Sequence, residues 1–248
     1  MKVKHILITQ PKPETEKSPY IDFAKKHNLK VDFRSFIEIE GITAKEFRRE
    51  RVSFLDYTGI IFTSKHAATH FFRLCKEMRV SMPESMKYFC ISEATAYYLQ
   101  KFVTFKKRKA LHGKETIASL IDLIKKHKTE KFFLPCSDNN KEQITGMLDN
   151  LGIGYTKAPV YKTVCSNLSD LAVENYDILV FFTPSGIKSL LKNFPDFKQD
   201  TSKIAAFGTT TSKAVIDAGL ELTIQAPLPN VPSMVLALEQ YMKELGKK

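Results

Sequence analysis

Short apolar runs followed by amphipathic stretches alternate along almost the whole chain. VKHILIT (3–9) is β-rich and precedes a helical stretch reaching about His27. KVDFRSFIEI (30–39) alternates apolar and polar positions like one long strand. GIIFT (59–63), KYFCI (87–91) and KFFL (131–134) lead into helical patterns from about Ala67, around Ala94–Lys101 and at about 140–151. YTKAPVYKTV (155–164) reads as a second long strand. DILVFF (177–182) leads into a helix from Ser185, and KIAAF (203–207) into one that stops near Ala218-Gly219. ELTIQ (221–225) precedes a last helix at about 231–244. Repeated β-α units of this length predict an α/β fold of parallel sheets with helices on both faces.

The pattern repeats weakly. GIIFTSKHAATHFF followed by KYFCISEATAYYL is matched by DILVFFTPSGIKSLL followed by KIAAFGTTTSKAVI. A second likeness pairs HILITQPKPE near the start with FFLPCSDNNKE at 132–142. The strand-Pro unit comes first in one copy and last in the other. Two similar α/β domains explain this, the second inserted in the first: residues 1–37 plus 166–248, and residues 38–165. The long strands 30–39 and 155–164 are then the two crossings, lying side by side as a two-stranded linker.

Composition narrows the function. The 248 residues are 43% hydrophobic and 26% charged, with mean hydropathy −0.21, a soluble globular balance. The longest clear apolar run, ILVFF at 178–182, is far short of the roughly 20 residues that span a bilayer. The apolar run at the start breaks at Gln10-Pro11, too early for a signal peptide, so the cytoplasm is the expected compartment. Net charge is +11, and residues 39–165 hold 22 Lys+Arg against 13 Asp+Glu, so the excess sits in the middle of the chain. A basic chain attracts polyanions. KKRK (106–109) is the densest basic run; it lacks interleaved aromatics and reads as a solvated strand or loop.

Cys75, Cys90, Cys136 and Cys165 form no CxxC, and no His stands at ligand spacing from them; all four read as reduced core residues. His66 and His70 lie one helical turn apart, but no third ligand accompanies them, and they read as part of a solvated face. G-x-G-x-x-G, GxxxxGK[ST] and GxSxG are absent, which disfavours dinucleotide, P-loop and serine-hydrolase chemistry.

Hydroxyls fill the predicted carboxyl ends of the strands: Thr63-Ser64, Ser92 and Thr95, Ser137, Thr183 and Ser185, and Thr209-Thr210-Thr211. Ligands of open α/β sheets bind at that edge, where helix N-termini favour anions. Taken singly, each hydroxyl is an N-cap worth about 1 kcal/mol to its helix. Taken together they suit a ligand with several carboxylates.

FTSKHAATHFF, CISEATAYYL, FLPCSD, VYKTV, FFTPSG and FGTTTSKAVIDAGL, in that order, resemble the uroporphyrinogen-III synthase family over about residues 3–240. The resemblance implies two flavodoxin-like domains joined by a two-stranded linker. It implies cyclisation of hydroxymethylbilane, a linear tetrapyrrole with eight carboxylates, with inversion of ring D and loss of water in a cleft between the domains. No cofactor or metal is implied. Tyr161 in VYKTV corresponds to the family's cleft tyrosine and is implied as the group that assists hydroxyl departure. Thr63, Ser64, Thr95, Ser185, Gly186, Thr210 and Thr211 align with residues that hold carboxylates; Ser92, Ser137 and Thr183 join them from the strand-end reading. Where many relatives have Pro-Arg after the TS turn, this chain has Lys65-His66, which moves the basic contact to Lys65. The GPTT turn reads GTTT here, which keeps both later hydroxyls. The implied partner is hydroxymethylbilane, with the enzyme of the preceding step as a candidate protein partner; a monomer is expected, with no membrane and no nucleic acid. Two other classes remain open: a non-catalytic two-domain cytosolic binder of a polyanionic small molecule, and a basic nucleic-acid-associated protein.

Overall fold

The apolar runs form two mostly parallel sheets in the computed structural model, which describes residues 3–13, 18–104, 109–138 and 143–246. In chain order the elements are β1 (His5–Ile8), α1 (Pro19–His27), β2 (Lys30–Phe33), β3 (Ile37–Gly41), α2 (Ala44–Phe47), β4 (Gly59–Phe62), α3 (Lys65–Glu77), β5 (Lys87–Cys90) and α4 (Glu93–Tyr98). They continue with β6 (Ala110–His112), α5 (Ile117–Lys125), β7 (Phe132–Ser137), α6 (Gln143–Asn150) and β8 (Tyr155–Cys165). The chain ends with β9 (Ile178–Phe181), α7 (Pro184–Asn193), β10 (Lys203–Phe207), α8 (Thr209–Asp217), β11 (Leu222–Ala226) and α9 (Met234–Leu245).

Contacts divide the chain into residues 1–38 with 164–248 and residues 39–163, where the sequence suggested 37/38 and 165/166. The first unit holds the sheet β11-β10-β9-β1-β2, all parallel. The second holds β3-β8-β7-β4-β5-β6, with parallel pairing from β8 to β6. β3 runs opposite to β8: Ser166 N–H donates to Phe36 O at 3.0 Å, and Ile42 N–H to Val160 O at 3.1 Å.

The strand orders explain the inverted repeat. Numbered within its own unit, the first sheet has the flavodoxin-like order 2-1-3-4-5. Matching β7 to β1, β8 to β2, and β4, β5, β6 to β9, β10, β11 turns β8-β7-β4-β5-β6 into the same order. The second unit is therefore a circular permutation of the first. The helices follow the permutation. Phe23 of α1 and Leu238 of α9 pack on one face of the first sheet, Leu190 of α7 and Val215 of α8 on the other. In the second, Phe71 of α3 and Ala96 of α4 share one face, Leu120 of α5 and Leu148 of α6 the other.

Two expectations need correction. KVDFRSFIEI is not one strand: β2 pairs with β1, while β3 neighbours β8 in the other sheet. Between them Ser35 Oγ donates to Ile37 O at 2.6 Å, and Phe36 is fully buried in the first unit. The anchored ring breaks the strand although the polar alternation runs through. Second, 110–125 carries β6 and α5, which the sequence reading passed over. Thr116 caps α5 by accepting from Ser119 N–H at 3.2 Å, and Leu120, Ile121 and Ile124 form its buried stripe. In KKRK, residues 106–108 lie outside the described residues; Lys109 Nζ donates to Glu84 O just before β6. Among the described residues no helix is long and apolar enough to cross a membrane.

A polar cluster ties β1, β2 and the approach to β9 at the start of the first sheet. Asp32 Oδ2 accepts from His5 Nε2 at 2.7 Å and Tyr176 Oη at 3.1 Å, and pairs with Lys30 Nζ at 3.2 Å. Burial alone would raise the Asp32 carboxyl, but these hydrogen bonds outweigh it and hold the carboxyl below its ordinary value. A depressed carboxylate contributes stability above its unfolded pKa, and that stability is lost as pH falls through the folded pKa. Asp32→Asn is therefore expected to lower Tm at pH 7, and the gap from wild type to narrow once pH drops below about 4. A gap that stays constant down to pH 3 would remove Asp32 from the acid response.

Candidate active site

Each sheet has a topological switch point, where consecutive strands leave in opposite directions and open a crevice at their carboxyl ends. In the second unit it lies between β4 and β7, because α3 and α6 leave toward opposite faces. Thr63 and Ser64 follow β4, and Ser137 ends β7. Ser92 and Thr95 stand one strand further out, after β5, and Tyr161 lies on the other side, on β8. The edge of this unit thus gathers seven of the sequence-picked residues: Thr63, Ser64, Lys65, Ser92, Thr95, Ser137 and Tyr161.

Their local roles differ. Ser64 Oγ accepts from Ala67 N–H at 3.1 Å and caps α3. Ser92 Oγ accepts from Thr95 N–H at 3.2 Å and lies 3.1 Å from Thr95 Oγ1. A hydroxyl has two lone pairs and one O–H, so a cap leaves the O–H of Ser64 available to an incoming acceptor. Ser92 and Thr95 are both buried, and one of the two hydroxyls donates to the other. Thr63 and Ser137 are half-buried. Lys65 is exposed on the first turn of α3, with Nζ 5.8 Å from the centre of the Tyr98 ring.

Tyr161 owes its position to a bulge. β7 and β8 pair regularly from Phe132↔Tyr155 to Cys136↔Pro159; the register then shifts, and Ser137 faces Tyr161. A bulge re-aims side chains, and proline is tolerated there because a ladder bond is already lost. Beyond it Asp138 N–H donates to Tyr161 O at 3.0 Å, and Asp138 Oδ1 accepts from Thr163 N–H at 3.3 Å. The Tyr161 ring, half-buried, faces α3: the His70 ring stacks on it at 5.6 Å and 30°, and the His66 ring lies at 6.3 Å and 49°.

This corrects the reading of the histidine pair as a solvated face. His66 is exposed, but His70 is turned against β8, and its Nδ1 is buried. Burial first, then the nearby Arg73 and His66 charges, lowers the His70 imidazole below its ordinary value, so it is neutral at pH 7. Among the described residues no group of three or more His, Cys, Asp or Glu side chains is placed to hold a metal. The cysteines are free; burial pushes Cys75 and Cys90 up to about 12 and Cys136 up to about 11. Those thiols stay protonated and are not nucleophiles at neutral pH.

The first unit has the matching edge, with its switch point between β1 and β9. Thr183 Oγ1 accepts from Gly186 N–H at 3.2 Å and caps α7, so the Gly186 amide is directed inward. Ser185 is half-buried in the same turn. α8 starts after Gly208, whose φ of 90° suits only glycine and which brings no side chain over the first turn. Thr210 is exposed there, and Thr211 is 1% exposed. Sequence reasoning missed Thr9, whose Oγ1 donates to Val180 O at 2.8 Å across the β1–β9 switch. It also missed His70 and Asp138 as neighbours of Tyr161; the i, i+4 spacing of His66 and His70 was the available signal.

Two permuted flavodoxin-like units, one inserted in the other, with hydroxyl-capped helices beside both switch points, define the class of α/β protein. The chain belongs to the uroporphyrinogen-III synthase HemD family, whose model matches residues 19–236. Among solved structures, uroporphyrinogen-III synthetase from Helicobacter pylori aligns over 97% of this chain and 99% of its own, at 17% identity and TM-score 0.59. A mutant uroporphyrinogen III synthase from Thermus thermophilus aligns over 99% of this chain and 100% of its own, at 13% identity and TM-score 0.51. These likenesses establish the two-unit fold. No curated protein matches the chain by sequence.

Proposed function

We propose that the chain is a cyclising lyase that converts hydroxymethylbilane to uroporphyrinogen III. The observation that carries this is family membership over residues 19–236. The strand-end hydroxyls and the basic second unit support it. In the reaction the end ring expels its hydroxyl, with the pyrrole nitrogen supplying the electrons and the departing oxygen taking a proton to leave as water. The cation so formed is attacked by the substituted α-carbon of the last ring, which gives a spiro intermediate. The older bond from that carbon to its methylene bridge then breaks, and the methylene bonds to the free α-carbon of the same ring. Loss of the proton on that carbon restores neutral pyrroles with ring D inverted. The pyrrole supplies most of the push, so the protein mainly has to fold the chain and exclude the uninverted closure.

Tyr161 is assigned the proton given to the departing oxygen, since a phenol O–H can donate to a leaving oxygen. Thr63, Ser64, Lys65, Ser137, Ser185 and Thr210 are assigned to the carboxylates. Ser92, Thr95, Thr183, Gly186 and Thr211 hold the helix ends that present them. Hydroxymethylbilane is the partner, the expected form is a cytoplasmic monomer, and the enzyme that produces the linear tetrapyrrole is a candidate partner. Nucleic acid is not assigned a role. Adding purified protein to freshly generated hydroxymethylbilane is expected to speed its consumption above the spontaneous rate; an unchanged rate would defeat the reading.

The charge excess gives a second test. The second unit carries +9 of the net +11. Surface charge raises the capture rate of an octa-anion and is screened beyond about 10 Å at 0.1 M salt. kcat/KM is expected to fall as salt rises, with kcat changing less. A flat kcat/KM profile would mean that the charge does not serve substrate capture.

A further inference from the structure

His66, His70, Arg73 and Glu77 lie at i, i+4, i+7 and i+11 on α3, which places them on one helical face. This polar stripe lies along the two neighbouring strands β3 and β8 and continues past the end of β3. Arg73 Nη2 donates to Ile42 O, and Arg73 Nη1 to Glu77 Oε1. Glu77 Oε2 accepts from Ala44 N–H at 3.2 Å. Further back, the His70 ring stacks on Tyr161 of β8.

The fit around His70 is tight. A Cβ added to Gly41 would lie 2.6 Å from His70 Nδ1 and 2.7 Å from Arg73 Nε, so any larger residue there would have to push these two side chains aside. His70 Nδ1 and Arg73 Nε are buried without hydrogen-bond partners. A buried, unpartnered nitrogen is a cost that an apolar side chain would avoid. What the imidazole provides instead is a flat, short ring that fits between the β3 backbone and the Tyr161 ring.

We propose that His70 is a positioning residue for the reaction: wedged between Gly41 and Tyr161, it fixes the orientation of the Tyr161 phenol. The proposal rests on the role assigned to Tyr161. His70 touches no substrate in this account and moves no proton. It acts by restricting the ring that does, and loss of alignment at a reacting group lowers turnover rather than binding.

The test compares wild type, His70→Ala, His70→Leu, Tyr161→Phe and the two double variants, each with kcat, KM and melting temperature. Leucine fills the slot without a flat face and guards against unfolding. The expected result is a kcat about 10- to 100-fold lower for both His70 variants. KM should stay within about twofold. In the Tyr161→Phe background the His70 substitutions should cost nothing further, because coupled residues are not additive. With ¹³C-labelled tyrosine, the Tyr161 ring signal should move and average in His70→Leu. Wild-type kcat in folded His70 variants, an equal His70 loss in the Tyr161→Phe background, or an unmoved ring signal would each overturn the proposal. Wild-type kcat in Tyr161→Phe would instead overturn the role given to Tyr161 itself.

Discussion

Tyr161→Phe is expected to lower kcat by about 10²-fold while leaving KM nearly unchanged. General acid assistance is typically worth about 10²–10⁴, and the low end applies where the substrate expels its own leaving group. The substitution removes only the hydroxyl, so the ring that packs between β8 and α3 stays in place. Thr95→Val and Thr211→Val provide the contrast. Both side chains are buried in the first turn of a helix, and the Thr95 hydroxyl meets that of Ser92 at 3.1 Å. Each should lose stability or raise KM before kcat falls. Side-by-side kinetics and melting curves decide the matter. If Tyr161→Phe keeps wild-type kcat while folded Thr211→Val loses it, the two roles are interchanged.

The second large effect is on stability. Phe133 is fully buried on β7, with ring centres 5.4 Å from Phe54, 5.3 Å from Tyr57 and 6.1 Å from Phe71. This aromatic cluster seats α3 on the second sheet. Phe133→Ala removes a ring that β7 shares with α3 and the 54–57 segment, and such deletions cost about 3–5 kcal/mol. The denaturant midpoint of the second unit should drop accordingly, and activity should fall with the folded fraction. A loss below about 1 kcal/mol would show that the cluster collapses around the gap.

The strands of both sheets were mostly legible in the sequence, and the reason is physical. Runs such as GIIFT and DILVFF are buried on both faces, so hydrophobicity alone marks them. The permuted repeat was legible because a strand followed by a hydroxyl-rich helix start recurs after β4, β5, β9 and β10, although α8 begins at Gly208 without a side-chain cap. What failed depended on distant partners. The alternation in 30–39 does not say that Phe36 is anchored in the first unit while Ile37 already belongs to a strand beside β8. β6 is three residues long and sits at a sheet edge, too short for any period to register. α5 did carry a signal, Thr116 followed by an apolar stripe, but its place became evident only as the counterpart of α9.

The candidate site divides in the same way. Cap hydroxyls at Ser64, Ser92 and Thr183 could be read locally, because a cap is a contact between residues three apart. The surroundings of Tyr161 could not. They arise from a register shift opposite Ser137, whose one local mark is Pro159, and from the docking of α3 across β3 and β8, which leaves no mark within five residues of Tyr161.

The central claim is the inversion of the last ring, and isomer analysis tests it most directly. Hydroxymethylbilane generated enzymatically is incubated with the purified chain, the products are oxidised to porphyrins, and isomers I and III are separated by chromatography. Type III is expected to predominate, against type I in the protein-free control. Type I alone, at the control's rate, would contradict the claim.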